Sequence, residues 1–320
     1  MESFGNLFAN VLMFALLMIP GYAMGKCRRM DGGAVQSFGN LLSHVAMPAL
    51  VFFKLLETEL SSVSVTGLVC SSLMPVAVVG VGSLLAVPIF RWQCAPERNP
   101  VSRFCAVYSN CGFLGIPLAS AMFPHHPEIT VYVSLFNVVN TFLLLSFGAR
   151  TLSGRRGRLS VWRFLLRPVS VCMVLGTVLS CLGVGRRLPM LVTYASTLAQ
   201  LTTPLSMTVL GYQLSALHIG RLMKLPAVYL TAAVKLLFSP ILALGILALC
   251  SLVPVVSVEP ELAAGMCIAT AVSTAASAPA LVAQYGLDGE YAAALTLGNT
   301  LLCVITLPLV YCLFGAVFGL

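Results

Sequence analysis

The segment YSNCGFLGIPL at residues 108–118 interrupts a long apolar stretch with residues that suit a binding site better than a continuous helix. Asparagine, glycine and proline are poor helix formers. If the stretch crosses a membrane, a break here leaves backbone N–H and C=O groups that need a partner or line a cavity. The half-helix that follows presents free N–H groups, which favour an anion such as a carboxylate. The candidate substrate contacts in this segment are Ser109, Asn110, Gly112, Gly115 and Pro117.

A second segment of this kind, TAVSTAASAPA at residues 270–280, combines hydroxyl side chains with a proline. The polar and helix-breaking groups of this segment are Thr270, Ser273, Thr274, Ser277 and Pro279, of which Ser277 and Pro279 are the candidate substrate contacts. Small residues that allow close helix packing, together with an ordinary proline kink, explain one such segment equally well. Two segments at matching places in the two halves of the chain favour a substrate site that both of them form.

Asparagine side chains follow both segments at similar distances. Asn137 and Asn140 are the candidates after the first segment, and Asn299 is the candidate after the second. We prefer the pair Asn140 and Asn299, because each of these two residues is followed by threonine. Their amides are expected either to contact substrate or to support the broken helices through interhelical hydrogen bonds.

Lys235 is the one charged residue well inside an apolar stretch, and a charge in such a place is by default a candidate for function. Two functional roles are open. The ammonium attracts an anion, or it takes the place of a cation in stabilising the broken helices. The alternative is that the side chain snorkels to the cytoplasmic interface, since Lys235 lies only nine residues after Pro226.

His44 and Gln200 are polar residues that each stand four residues before a proline within an apolar stretch. Histidine is the side chain that changes charge near physiological pH, so His44 is the best candidate for a proton site if transport is coupled to protons. A hydrogen-bonded packing role is the alternative. Gln200 does not titrate, which weakens the proton interpretation but suits a pair of hydrogen-bonding groups beside a substrate.

We predict no metal site, cofactor or catalytic centre. His125 and His126 lie in a predicted loop without a cysteine or a suitably spaced carboxylate, so we expect both to be solvated. The 11 cysteines contain no CxxC pair and fall mostly in apolar stretches, where they act as small packing residues. The motifs of zinc proteases, serine hydrolases, phosphate loops and dinucleotide-binding folds are all missing, so an enzyme is not expected.

Acidic residues are also missing from the apolar stretches: Asp31 and Asp288, for example, both fall in predicted loops. Exchangers that carry sodium or protons through inverted-repeat folds need carboxylates near the membrane midplane. The sequence therefore argues against cation exchange.

The elements that position these residues are membrane helices. The chain has 320 residues, of which 59% are hydrophobic and only 9% are charged, and its mean hydropathy is +0.98. A soluble domain carries about a quarter charged residues. Stretches long enough to span the hydrocarbon core as helices occur at about 4–25, 34–56, 62–90, 103–123, 130–149, 168–185, 189–214, 226–253, 261–285 and 291–318.

The distribution of charge predicts the orientation. Most of the 18 Lys and Arg residues fall in loops on one side of these spans, and acidic residues dominate the loops on the other side. The positive-inside rule then places both the N-terminus and the C-terminus outside, in a multi-pass protein of the plasma (inner) membrane. The net charge of +8 is explained by loops that face anionic membrane lipid, so we expect no nucleic-acid partner.

The similarity of the two broken segments indicates an inverted repeat. Residues 1–149 and 168–320 each contain five predicted spans, and a basic cytoplasmic linker at 150–167 joins them. Because five is an odd number, the two repeats have opposite orientations in the membrane. The predicted fold is an all-α polytopic membrane protein with ten transmembrane helices in a 5+5 arrangement, in which helices 4 and 9 are broken and cross.

The chain resembles the auxin efflux carrier family along nearly its whole length, and in particular the branch of bacterial organic-acid permeases. The motifs that carry the resemblance are SNCGFLGIPL at 109–118, SAPALVAQYGLDGEYAAALTLGNTLLCVITLPL at 277–309, MPALVFFKLL at 47–56 and VKLLFSPILALG at 234–245.

The resemblance implies a secondary transporter or uniporter in which a transport domain moves like an elevator against a scaffold. Spans 1, 2, 6 and 7 would form the scaffold, and spans 3–5 and 8–10 the transport domain. Members of the family are often homodimers, and their substrates are small carboxylates. The chain lacks the long hydrophilic central loop of plant auxin exporters, which favours a mono- or dicarboxylate over auxin.

Two other function classes are open. A transporter-like membrane sensor would bind a small molecule or a lipid without moving it, although short loops leave little to pass on a signal. A channel would carry ion currents far above the turnover of a carrier.

Overall fold

The computed structural model describes residues 12–14, 16–58, 63–93, 95–153, 166–215, 224–253 and 257–319. Nearly all of these residues are helical, which confirms the expected all-α class. In chain order the helices are α1 (Ile19–Lys26), α2 (Gly32–Glu57), α3 (Val65–Gln93), α4 (Asn99–Val107), α5 (Cys111–Met122), α6 (Pro127–Ser153), α7 (Pro168–Cys181), α8 (Val184–Arg187), α9 (Pro189–Ala199), α10 (Thr202–Ser215), α11 (Pro226–Ser251), α12 (Pro260–Ala271), α13 (Ala278–Gln284) and α14 (Gly289–Phe318).

Five of these helices are long and apolar enough to cross a membrane by length and composition, namely α2, α3, α6, α11 and α14. Local sequence sets where many helices begin. Proline occupies the first position of α6, α7, α9, α11 and α12, where its missing N–H is not needed and its fixed φ suits the helix. The carboxylates of Asp31 and Asp288 cap α2 and α14 by accepting from Ala34 N and Tyr291 N.

The two segments that carry the candidate site are interrupted helices. The predicted span 103–123 consists of α4 and α5, with residues 108–110 outside both helices. The predicted span 261–285 consists of α12 and α13, with residues 272–277 between them. Each pair of half-helices therefore leaves free backbone groups in the interior of the fold.

Two predicted spans differ from the structure. The span 189–214 is divided into α9 and α10 by a turn at Gln200 and Leu201. Pro204 explains this turn, because it donates no N–H and its ring clashes with a carbonyl four residues earlier. The span 168–185 ends at Cys181, since Gly183 adopts a left-handed conformation with a φ of 67°. Parts of the span 4–25 and of the linker 150–167 lie outside the described residues.

Helix α1 packs closely against α10, and glycines on both helices allow this. A Cβ atom on Gly21 would collide with the backbone carbonyl of Thr208, and one on Gly211 would collide with that of Met18. Helix α2 packs against α7 and α9. Helices α1, α2, α7, α9 and α10 thus form one group of neighbours.

The other helices pack around the two interruptions. Helix α6 contacts α3 and α12, and α14 contacts α11, α12 and α13. Tyr132 on α6 is fully buried, and its hydroxyl accepts a hydrogen bond from the backbone N–H of Ser64 at the start of α3 (3.1 Å). The largest buried cluster of apolar side chains includes Tyr132, Phe136 and Met266. The core therefore lies beside the broken helices and holds them in place.

Candidate functional site

The two interruptions meet each other as a short antiparallel pair of extended segments. Ser109 pairs with Thr274. The backbone N–H of Asn110 donates to the carbonyl oxygen of Ser273 (2.8 Å), and the N–H of Ala275 donates to that of Tyr108 (3.0 Å). Each segment thereby satisfies backbone groups that the broken helix of the other one leaves without partners. We call this meeting point, residues 108–110 and 273–275, the crossing.

Two asparagine amides, one from each half of the chain, donate to the crossing. Asn140 Nδ2 on α6 donates to the carbonyl oxygen of Ser109 (3.2 Å). Asn299 Nδ2 on α14 donates to Thr274 Oγ1 (2.7 Å). Both side chains are buried, so each interaction forms where water does not compete. In this structure Asn140 and Asn299 therefore support the broken helices through interhelical hydrogen bonds, which is one of the two roles expected for them.

Hydroxyl groups that the sequence analysis noted, but did not select as substrate contacts, extend this network. Thr274 Oγ1 donates to the carbonyl oxygen of Cys105 in α4 (2.6 Å). Thr300 Oγ1 lies 3.1 Å from Ser273 Oγ. The signal was present in the hydroxyl-rich segment 270–280, but the partners of these hydroxyls are too distant in sequence to be recognised from it.

Lys235 is fully buried beside the crossing. It lies in a π-helical turn of α11, Ala233–Phe238, a local widening that is frequent at functional sites. Its Nζ donates to the carbonyl oxygen of Thr270 (2.8 Å), in the last turn of α12. The snorkelling alternative is wrong, because that role requires the ammonium to reach the membrane surface. Among the described residues, Lys235 has no carboxylate partner.

Buried polar atoms at the crossing remain without partners. Asn110 is 3% exposed, and no described atom forms a hydrogen bond with its Nδ2. Asn140 Oδ1 is also buried and has no hydrogen-bond partner among the described atoms. An unpaired buried polar group costs free energy, so such atoms mark places where a ligand or a solvent molecule would complete the structure.

The glycines and the proline of the first segment shape the start of α5. The position of a Cβ atom on Gly112 would be 3.3 Å from Asn137 Oδ1, so this glycine keeps α5 close to α6. Gly115 packs against Cys111, and Pro117 is buried near the start of the regular part of α5. The half-buried Asn137, which the sequence analysis placed second to Asn140, thus lies at the site as well.

A small cavity adjoins these residues, with a volume of about 30 Å³. Its walls come from residues just before α1, from α5 and from α14: Phe14, Met18, Leu114, Leu118, Thr300, Cys303, Val304 and Leu307. The thiol of Cys303 also lies near the ammonium of Lys235. A cavity of this size holds one or two water molecules at most, so an organic anion does not fit unless the walls separate.

A family model described as a membrane transport protein matches residues 7–163 and residues 157–311. The chain belongs to this family. The match confirms the resemblance to auxin efflux carriers and makes the chain a multi-pass membrane transporter. No curated protein matches the chain significantly.

Not every predicted site residue of this transporter lies at the crossing. His44 and Gln200 are exposed, and His44 Nδ1 lies 3.0 Å from the backbone carbonyl of Asn40 in its own helix. Ser277 is exposed immediately before α13, and Pro279 is half-buried in its first turn. The crossing in the second half is centred on Thr274, three residues before Ser277, because helix α13 has already begun at Ala278.

His125 and His126 are both exposed, as expected, but the expectation that no suitably placed carboxylate lies near them is wrong for His126. Its ring contacts the carboxylates of Glu128 and Glu261, and only His125 has no such partner among the described residues. The sequence analysis overlooked Glu261 because 134 residues separate it from the loop in the chain.

Proposed function

We propose that this transporter carries small organic anions, mono- or dicarboxylates, by elevator-like alternating access, as a secondary active transporter or a uniporter. The observation that supports this proposal most directly is the ammonium of Lys235, which is fully buried beside the crossing and has no carboxylate partner in the described part of the chain. The proposal names the crossing as the substrate site.

Charge is the first reason to favour an anion. An ammonium in the protein interior is costly unless an opposite charge or several hydrogen bonds compensate it. The four ion pairs of the described residues all lie at helix ends. A bound carboxylate would supply the missing negative charge at Lys235.

Hydrogen-bond donors in the first broken segment are the second reason to favour an anion. Asn110 Nδ2 is buried and has no partner among the residues that the structure describes, and α5 begins at the next residue. A carboxylate held between these donors and Lys235 would satisfy polar groups contributed by both halves of the chain.

The 5+5 inverted repeat remains part of the proposal, with repeats at 1–149 and 168–320 and ten transmembrane helices. It is supported by the similar environments of Asn140 and Asn299, each of which donates to the crossing segment of its own half. The antiparallel pairing of Ser109 with Thr274 is also what a two-fold axis in the membrane plane would produce.

The packing of the helices supports a scaffold and a mobile part. Helices α1, α2, α7, α9 and α10 correspond to spans 1, 2, 6 and 7 and form a connected group: α1 packs against α10, and α2 packs against α7, α9 and α10. The cavity of about 30 Å³ lies between residues that immediately precede α1 and helices α5 and α14. We propose that relative sliding of the two groups widens this cavity towards one side of the membrane and then towards the other.

Orientation and assembly complete the proposal. Both termini lie outside, and the basic loops face anionic lipid on the cytoplasmic side of the plasma (inner) membrane. A homodimer is proposed from the family resemblance alone. Cation coupling through midplane carboxylates is not part of the mechanism, since the acidic side chains of the described residues lie at helix ends or in loops.

The test is uptake of labelled malonate, malate, lactate, acetate and indole-3-acetate into proteoliposomes, with membrane potential and pH gradient imposed separately. We expect saturable uptake of at least one small carboxylate, and none into liposomes without protein. Absence of uptake under both gradients, together with saturable binding of a panel member or a lipid, would favour the membrane sensor. Ion currents far above carrier turnover would favour a channel.

A further inference from the structure

A cluster of three potential metal ligands lies at the N-terminal ends of α6 and α12, away from the crossing. His126 Nδ1 is 2.9 Å from Glu128 Oε1 and 3.8 Å from Glu261 Oε1. One ligand atom from each residue lies within 4.8 Å of the other two. The imidazole nitrogen thus faces two carboxylates that come from different helices.

Rigid elements hold these three side chains together. His126 immediately precedes α6, Glu128 is in the first turn of α6, and Glu261 is in the first turn of α12. The two helices pack closely, since a Cβ atom on Gly265 of α12 would lie 3.5 Å from the carbonyl oxygen of Ile129. The relative position of the carboxylates is therefore fixed by helix packing rather than by a flexible loop.

The charges of the cluster favour a cation. Among the described residues, neither Glu128 nor Glu261 pairs with a lysine or an arginine, and His126 is the only partner of both. The side chain of Glu128 is only 9% exposed. Glu259 lies near enough to interact with Tyr132, as does Glu128, and adds another negative charge to this end of the molecule. One histidine does not balance these carboxylates.

We propose that His126, Glu128 and Glu261 form a binding site for a divalent transition-metal ion of the Zn²⁺ type. Imidazole nitrogen and carboxylate oxygen bind Zn²⁺ at about 2.0–2.2 Å, which places ligand atoms about 3–3.5 Å apart around the ion. The observed distances of 2.9 and 3.8 Å bracket that separation. The imidazole selects such an ion over Mg²⁺, which prefers oxygen ligands alone.

The half-exposed His126 leaves the cluster open on one side. Its side chain is 50% exposed, so water can occupy the remaining coordination position of the ion. A bound ion would tie the N-terminus of α6 to that of α12, and both helices contact the crossing further along their length. Because the ion binds the folded protein, it would raise the temperature of unfolding.

The experiment uses the full chain, purified without a histidine tag. Co²⁺ absorption spectra report the coordination, and titration calorimetry with Zn²⁺ reports the stoichiometry and the affinity. We expect one Zn²⁺ per chain, displacement of Co²⁺ by Zn²⁺ but not by excess Mg²⁺, and a higher unfolding temperature with Zn²⁺.

The variants His126→Ala and Glu261→Gln should each weaken Zn²⁺ binding by about tenfold or more. His125→Ala is the matched control, because it removes the neighbouring exposed imidazole, which contacts neither carboxylate, and should leave binding unchanged. Failure of the unaltered protein to bind Zn²⁺ would overturn the proposal. Unchanged binding by His126→Ala, or an equal loss in His125→Ala, would also overturn it.

Discussion

Lys235 Nζ donates a hydrogen bond to the carbonyl oxygen of Thr270, 2.8 Å away, at the C-terminal end of the half-helix α12. This carbonyl belongs to the last turn, where carbonyl groups have no partner within the helix and the helix dipole is negative. The ammonium therefore compensates the end of a broken helix and, through its remaining donors, is available to an anion. The two roles that the sequence left open for Lys235 are compatible in this geometry.

Replacing Lys235 by Met should lower the affinity for the transported carboxylate by about 10- to 100-fold, because a charged hydrogen bond is lost. The measurement is the dependence of proteoliposome uptake on anion concentration. Lys224→Met is a suitable control, since Lys224 is exposed and outside every helix of the described chain. An unchanged affinity in Lys235→Met would show that Lys235 only stabilises the end of α12 and does not bind the anion.

Asn110→Ala should reduce carboxylate uptake by about tenfold while the protein keeps its unfolding temperature. The reason is that Asn110 Nδ2 has no partner in the described structure, so its removal breaks no hydrogen bond of the fold. The backbone N–H that donates to Ser273 is retained in the variant. Uptake and thermal unfolding in detergent should be measured on the same preparation. Full uptake by this variant would place the substrate elsewhere.

Asn299→Ala should have the opposite pattern and destabilise the fold by about 1–3 kcal/mol. Asn299 Nδ2 donates to Thr274 Oγ1, and its Oδ1 lies 3.4 Å from Thr231 Oγ1, so the variant removes two buried interactions between α14 and its neighbours. The unfolding temperature should fall clearly below that of Asn110→Ala. Equal unfolding temperatures for the two variants would contradict the assignment of Asn299 to support and Asn110 to binding.

The first broken helix could be predicted from sequence, because Asn110, Gly112, Gly115 and Pro117, all poor formers of helix interiors, fall close together. The interruption lies at residues 108–110, directly before Gly112 and the start of α5. The centre of the second interruption was predicted less well. Ser277 and Pro279 were selected, whereas the segment pairs through Thr274, because a proline at the second position of a helix marks its start and not the preceding break.

Contacts between residues distant in the sequence could not be predicted. The bond from Thr274 to Cys105 and the approach of Glu261 to His126 each depend on how the two halves of the chain meet. Hydrophobic patterning identifies helices but does not define which faces touch. The burial of Lys235 is a further example, since its distance from Pro226 in the sequence was equally consistent with snorkelling.

His44→Gln should leave the pH dependence of uptake unchanged. His44 is exposed, bonds to a carbonyl of its own helix and makes no described contact with the crossing, so it is poorly placed to exchange a proton with a substrate there. Uptake should be measured from pH 5 to 8, the range over which histidine changes charge. A flattened profile in the variant would restore His44 as the proton site.

Gly211→Ala should destabilise the protein by about 1–3 kcal/mol or more, because the added methyl group would collide with the backbone carbonyl of Met18 and force α1 away from α10. Thermal unfolding in detergent measures this effect. Gly245→Ala is the matched control: it also lies within a helix, but a Cβ atom there meets nothing within 4 Å, so alanine should stabilise by up to about 1 kcal/mol. Equal behaviour of the two variants would show that the close contact of α1 with α10 contributes little to stability, and would remove one support for a rigid scaffold.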